Sequence, residues 1–127
     1  MKPLSQTRIY LVEDNFVYSY VLEQALKEHG NFKITTLSTG EDCIAALNND
    51  IPDLVVLDYN LEKGMNGLDT LRQIRKKTRI PVIILSSQPD AQVAADFLKE
   101  GATDYIQKKS NDQSMEPLCA AILQALR

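Results

Sequence analysis

Long hydrophobic runs are missing from this 127-residue chain. No apolar stretch approaches the ~20 residues that a membrane-spanning helix needs. The opening residues, Met1 to Thr7, hold no apolar signal-peptide core. Net charge is small, at −3, so the chain as a whole has no electrostatic case for binding nucleic acid. Cysteine is scarce: Cys43 and Cys119 lie far apart, each in a helix-like apolar pattern. Buried free thiols are therefore expected rather than a disulfide, in keeping with a reducing cytosol. Linkers, internal repeats and low-complexity stretches are also missing. Together these absences predict one soluble, cytoplasmic domain, long enough to bury a core without disulfide or metal staples.

What is present is a strand–helix alternation. Arg8 to Val12 reads as a short buried strand. Asn15 to His29 reads as a helix with Val17, Val21, Ala25 and Leu26 on one face and Gly30 as its stop. Phe32 to Leu37 is a second strand. Ser38-Thr39-Gly40-Glu41 then has the spacing of a capping box and opens a helix carrying Ile44, Ala45 and Leu47, ended by Asn48-Asn49-Asp50. Leu54 to Leu57, after the turn at Pro52, is the third strand. Leu68 to Lys77 is the third helix, with Leu68, Leu71 and Ile74 inward. Pro81 to Leu85, Ala91 to Glu100, Thr103 to Gln107 and Met115 to Leu126 continue the alternation. The basic cluster Arg72, Arg75, Lys76, Lys77 and Arg79 reads as the solvated end of the third helix, where cations suit the dipole.

Near-continuous apolar strands joined by short connections predict a parallel sheet covered on both faces. In such sheets the working residues lie at the carboxyl ends of the strands. Strand one ends in Glu13-Asp14-Asn15, strand three in Asp58-Tyr59-Asn60, strand four in Ser86-Ser87-Gln88 and strand five in Lys108-Lys109. If strands one and three are neighbours, three carboxylates meet at one edge. Like charges at that range repel unless a cation joins them or some are protonated. Oxygen-only ligation suits Mg²⁺, which keeps waters for an incoming phosphate. A hydroxyl and a lysine at the same edge can pair with a phosphoryl oxygen. Each residue also has a plainer reading. Glu13-Asp14-Asn15 can cap the first helix, Asp58 can be a turn residue, and Ser86 a loop hydroxyl. Lys108 can be a surface lysine and Tyr105 a half-buried strand residue.

Four segments in this order carry a family resemblance: Leu11 to Asn15, Pro52 to Asp58, Pro81 to Ser87, and Gly101 to Lys108. With them the chain resembles the receiver domain of bacterial two-component response regulators, from about Arg8 to Leu126. That resemblance implies a flavodoxin-like α/β/α sandwich with a five-stranded parallel sheet in the order 2-1-3-4-5. It divides the chain into a tail, residues 1–7, and a receiver, residues 8–127. It implies that Asp58 is the phospho-acceptor, attacking a phosphohistidine or a small donor such as acetyl phosphate. Asp14 and Glu13 would be the acids of an Mg²⁺ site (or Mn²⁺ in its place), completed by Asp58 and the backbone carbonyl of Asn60. Lys108 and Ser86 would contact the phosphoryl group, and Ser86 and Tyr105 would form the switch. The face of helix four, strand five and helix five would then change.

The implied partners are a sensor histidine kinase or histidine phosphotransfer protein, docking near Val17, Tyr18 and Val21, and a downstream effector domain or protein. A phosphorylation-dependent homodimer is compatible. Direct nucleic acid binding and membrane contact are not expected, nor is enzyme activity beyond the domain's own phosphorylation and dephosphorylation. Asn60 and Gln88 flank the site, where their amides would tune how long the acyl phosphate lasts.

The chain departs from the family pattern twice. Lys109 stands where a proline, joined by a cis peptide, is common. A non-proline cis bond costs about 2.5–4 kcal/mol, so a trans Lys108–Lys109 bond is expected. The segment Asn60 to Gly67 lacks a usual proline and is one residue longer, a change that loops tolerate. Two other functions stay open: a pseudo-receiver that only binds partners, and a flavin-binding carrier of the same topology. Acidic Glu13-Asp14, where a flavin phosphate would sit, opposes the latter.

Overall fold

The computed structural model describes residues 6–87, 90–108 and 115–127. Five strands, β1 (Thr7–Val12), β2 (Phe32–Leu37), β3 (Leu54–Asp58), β4 (Val82–Ser86) and β5 (Asp104–Gln107), form one parallel sheet. Its order is β2-β1-β3-β4-β5, as expected. Helices α1 (Phe16–His29), α2 (Gly40–Asn49), α3 (Gly67–Lys77) and α4 (Ala91–Lys99) connect the strands, α5 (Met115–Ala125) follows β5, and together they cover both faces. Among the described residues no helix is long and apolar enough to cross a membrane.

Burial on both faces explains the unbroken apolar strands, because alternate residues of one strand feed two separate cores. Ile9, Leu11, Leu54, Val56, Ile83 and Leu85 pack against Leu22 and Leu26 of α1 and Leu118 and Ile122 of α5. Tyr10, Val12, Val55, Leu57, Val82 and Ile84 pack against Cys43 and Leu47 of α2, Leu71 and Ile74 of α3, and Phe97 of α4. Both cysteines are free and buried, and burial pushes the Cys43 thiol up to about 12.

Three local expectations are corrected. The inner face of α1 is Ser19, Leu22 and Leu26, while Val17 and Val21 point outward at 71% and 45% exposure. Apolar residues run all the way round the start of α1, so spacing alone could not phase it. The cap of α2 is Thr39, not Ser38: its Oγ1 accepts the Asp42 N–H at 3.0 Å. Glu41 is thereby released from a capping role, and its carboxylate accepts the Met65 N–H instead. Arg75 is no solvated charge. Its Nε and Nη2 donate to the Gly101 carbonyl at 2.9 and 2.8 Å, and its Nη1 donates to the Ile80 carbonyl at 2.7 Å. It therefore ties the end of α3 to the lead into β4 and the turn after α4.

Candidate functional site

Parallel register gathers the strand ends at one edge. Val12 pairs with Leu57, so Glu13 stands beside Asp58, one position further along. Asp58 pairs with Leu85, and Ser86 with Gln107, which leaves Lys108 at the same edge. The backbone continues the pairing past the strands. Tyr59 N–H donates to the Leu85 carbonyl at 2.7 Å and Lys108 N–H to the Ser86 carbonyl at 2.5 Å. Glu13 N–H donates to Leu37 at 2.9 Å.

Each acid is then held separately. Glu13 is buried, and its Oε2 accepts the Asn15 N–H at 3.0 Å. Asp14 is half-buried, and its Oδ2 accepts the Glu62 N–H at 2.8 Å, which anchors the lengthened loop after β3. Asp58 is buried, and its Oδ1 accepts the Asn60 N–H at 3.3 Å. Carboxylate oxygens of Glu13, Asp14 and Asp58 all lie within 4.8 Å of one another. Gly67 lets α3 start close behind. A Cβ there would lie 2.9 Å from the Tyr59 carbonyl oxygen and 3.1 Å from that of Asp58.

Lys108 enters this cluster from β5. Its Nζ lies 2.5 Å from Glu13 Oε1 and 3.7 Å from Asp58 Oδ1. Three carboxylates against one ammonium leave a net of two negative charges in a largely buried place. Burial pushes Glu13 up, to about 7, against the downward pull of hydrogen bonds from Lys108 and Asn15, and the charge of Asp58 pushes it further. Burial pulls Lys108 down, but its bond to Glu13 and the charges of Asp58 and Glu13 outweigh that, and its net direction is up. Lys108 therefore stays charged, while Glu13 takes up a proton well above the usual carboxylate range. Hard oxygen donors with surplus negative charge fit a divalent cation, which would reverse the upward shift of Glu13. A cleft of about 370 Å³, lined by Asp14, Asn15, Ser38, Thr39, Glu62 and Lys63, opens beside Asp14.

The structure thus brings together Glu13, Asp14, Asp58, Asn60 and Lys108. Ser86 is fully buried at the end of β4. Tyr105 is half-buried on β5, with its ring 6.1 Å from that of Phe97, which in turn meets Tyr59 edge-on at 5.6 Å. Gln88 and the Lys108–Lys109 bond lie outside the described residues. Sequence reasoning missed Tyr18 as a neighbour of the cluster: Lys108 Nζ sits 4.1 Å from the centroid of its ring. No spacing rule links residues so far apart in the chain.

Comparisons with known proteins identify the family of the fold. The family described as the response regulator receiver domain matches residues 9–120. The transcriptional regulatory protein AfsQ1 of Streptomyces coelicolor is 31% identical over 115 residues, covering 91% of this chain and 50% of that protein. The transcriptional regulatory protein CpxR of Klebsiella pneumoniae is 33% identical over 116 residues, covering 91% of this chain and 49% of that protein. The chain therefore spans about half the length of these curated relatives. Among solved structures, a DNA-binding response regulator of the LuxR family from Staphylococcus aureus superposes with a TM-score of 0.84 at 27% identity, covering 95% of this chain and 99% of that one. The phosphorylated cyanobacterial phytochrome response regulator RcpA gives a TM-score of 0.81 at 26% identity, covering 94% and 93%.

Proposed function

The chain belongs to the response regulator receiver domain family, and from that membership we propose that Asp58 accepts a phosphoryl group from a histidine kinase or a histidine phosphotransfer protein. An Asp58 carboxylate oxygen attacks phosphorus, the P–N bond of the phosphohistidine breaks, and its electron pair stays on the imidazole. The product is an aspartyl acyl phosphate, so the carboxylate acts as a nucleophile. Receivers are signalling domains rather than classical enzymes. The reactions assigned to this chain are its own phosphorylation and dephosphorylation.

The observation that carries this reading is the meeting of three carboxylates within 4.8 Å, with a lysine ammonium 3.7 Å from Asp58. Glu13, Asp14 and Asp58, with the backbone carbonyl of Asn60, would hold Mg²⁺ (or Mn²⁺). A cation bound there supplies charge neutralisation on the phosphoryl oxygens. Lys108, its ammonium already 3.7 Å from Asp58 Oδ1, neutralises the same oxygens from the β5 side. Ser86 donates its hydroxyl to the phosphoryl group, and Tyr105 follows the movement of Ser86. The two together bias the face made by α4, β5 and α5, a two-state element set by a new local charge. The Asn60 amide, beside the acceptor, tunes the lifetime of the acyl phosphate. An effector domain or separate effector protein reads the switched face, and a phosphorylation-dependent homodimer is one form that reading takes. The relatives' names as transcriptional regulators, and their greater length, support an effector of that kind.

Incubation with acetyl phosphate or phosphoramidate and Mg²⁺, followed by intact mass spectrometry, tests the proposal. The wild-type chain gains one phosphoryl group, and Asp58→Asn and Asp14→Ala gain none. A wild type that stays unmodified with both donors and with a phosphorylated histidine phosphotransfer protein would favour a pure interaction module instead.

A further inference from the structure

Four contacts form a closed ring around the lysine of the site. Glu13 Oε2 accepts the Asn15 N–H at 3.0 Å. Asn15 Oδ1 caps α1 by accepting the Tyr18 N–H at 3.0 Å. The Tyr18 ring lies against the Lys108 ammonium, 4.1 Å from centroid to Nζ. Lys108 closes the ring by donating to Glu13 Oε1 at 2.5 Å. Tyr18 differs from its neighbours on α1. Phe16, Val17 and Tyr20 are exposed, whereas Tyr18 is half-buried and packs against the core between α1, α5 and the sheet.

We propose that Tyr18 is a positioning residue for phosphoryl transfer: its ring fixes the Lys108 ammonium between Glu13 and Asp58, from which it reaches the phosphoryl oxygens. This rests on the receiver reading of Asp58 given above. The physical grounds are specific. A lysine side chain has four rotatable bonds beyond its backbone and loses that freedom when held in one place. Two carboxylates attract the ammonium but do not choose between them. The negative face of an aromatic ring favours a cation in one direction, most strongly where water is displaced. The cap at Asn15 sets the first turn of α1, and hence where the ring stands, and the same Asn15 orients the carboxylate that receives the lysine. The ring of contacts therefore links the acid end of β1 to the lysine end of β5 without passing through Asp58.

The test compares rates of acyl phosphate formation from acetyl phosphate at saturating Mg²⁺. Tyr18→Leu removes the π face and slows the reaction about fivefold, the scale of a partly buried cation–π contact. Tyr18→Phe, which keeps the ring, restores the rate. In a Lys108→Ala background, Tyr18→Leu changes nothing further, because the lysine it acts through is gone. A second readout is independent of chemistry. The Lys108 ε-methylene protons carry an upfield ring-current shift in the wild type and in Tyr18→Phe, and lose it in Tyr18→Leu. Should Tyr18→Leu not fold, Tyr18→Met carries the same expectations. A wild-type rate in Tyr18→Leu, an equal loss in the Lys108→Ala background, or unmoved ε-proton resonances would each overturn the positioning role alone. A wild type that accepts no phosphoryl group from any donor would instead overturn the receiver reading, and the role of Tyr18 with it.

Discussion

At the scale of single residues, the site is organised by one charge imbalance. Glu13 is buried against Asp58 with Lys108 as its only close cation among the described residues, and its carboxyl is pushed from 4.5 up to about 7. A group whose pKa is raised on folding stabilises the fold fully below its unfolded value. That contribution is lost as pH rises through the folded value. Without a divalent cation, the Glu13 contribution is therefore present below pH 4.5 and lost by about pH 7. A cation that requires ionised Glu13 acts in the opposite sense. Mg²⁺ should therefore raise the melting temperature strongly at pH 8 and little at pH 5, and Glu13→Gln should flatten that difference. At a hundred times its dissociation constant, a ligand adds about 2.7 kcal/mol, so the pH 8 effect is easily read by calorimetry. Equal Mg²⁺ stabilisation at both pH values would mean that the cation binds elsewhere.

At the scale of elements, Arg75 holds together parts that the sheet alone does not. It donates to the Gly101 and Ile80 carbonyls, and Arg72 adds an ion pair to Glu100 at 3.0 Å at the end of α4. Arg75→Ala should cost about 2 kcal/mol in urea denaturation, because charge-assisted bonds to two carbonyls are lost together. Arg72→Ala, which removes an exposed pair screened by solvent, should leave the urea midpoint almost unchanged. Equal effects would show that Arg75 is another surface charge, as its sequence neighbourhood implied.

That contrast also marks how far the sequence could be read. Strand ends were legible, because a parallel sheet must gather Glu13, Asp58, Ser86 and Lys108 at one edge whatever else the chain does. Helix faces were less so. In α1 the apolar residues Phe16, Val17 and Val21 face outward while Ser19 is buried, so the phase depends on packing rather than on periodicity. Ser38 and Thr39 are equally good caps, and only the helix start at Gly40 chose between them. Contacts such as Arg75 to Gly101, or Tyr18 to Lys108, join residues far apart in the chain and leave no mark on local spacing.

At the scale of the whole molecule, two cores on opposite faces of the sheet fix the strands, and the strands fix the acids. The chain spans about half the length of the curated relatives AfsQ1 and CpxR. Asp58 is the one acceptor proposed for this chain. Borohydride reduces an aspartyl phosphate to homoserine, so reduction followed by peptide sequencing by mass spectrometry names the modified residue. After incubation with phosphodonor and Mg²⁺, homoserine is expected at position 58 and nowhere else. Homoserine at position 14, or a phosphate that survives on a hydroxyl residue such as Ser86, would contradict the assignment of Asp58.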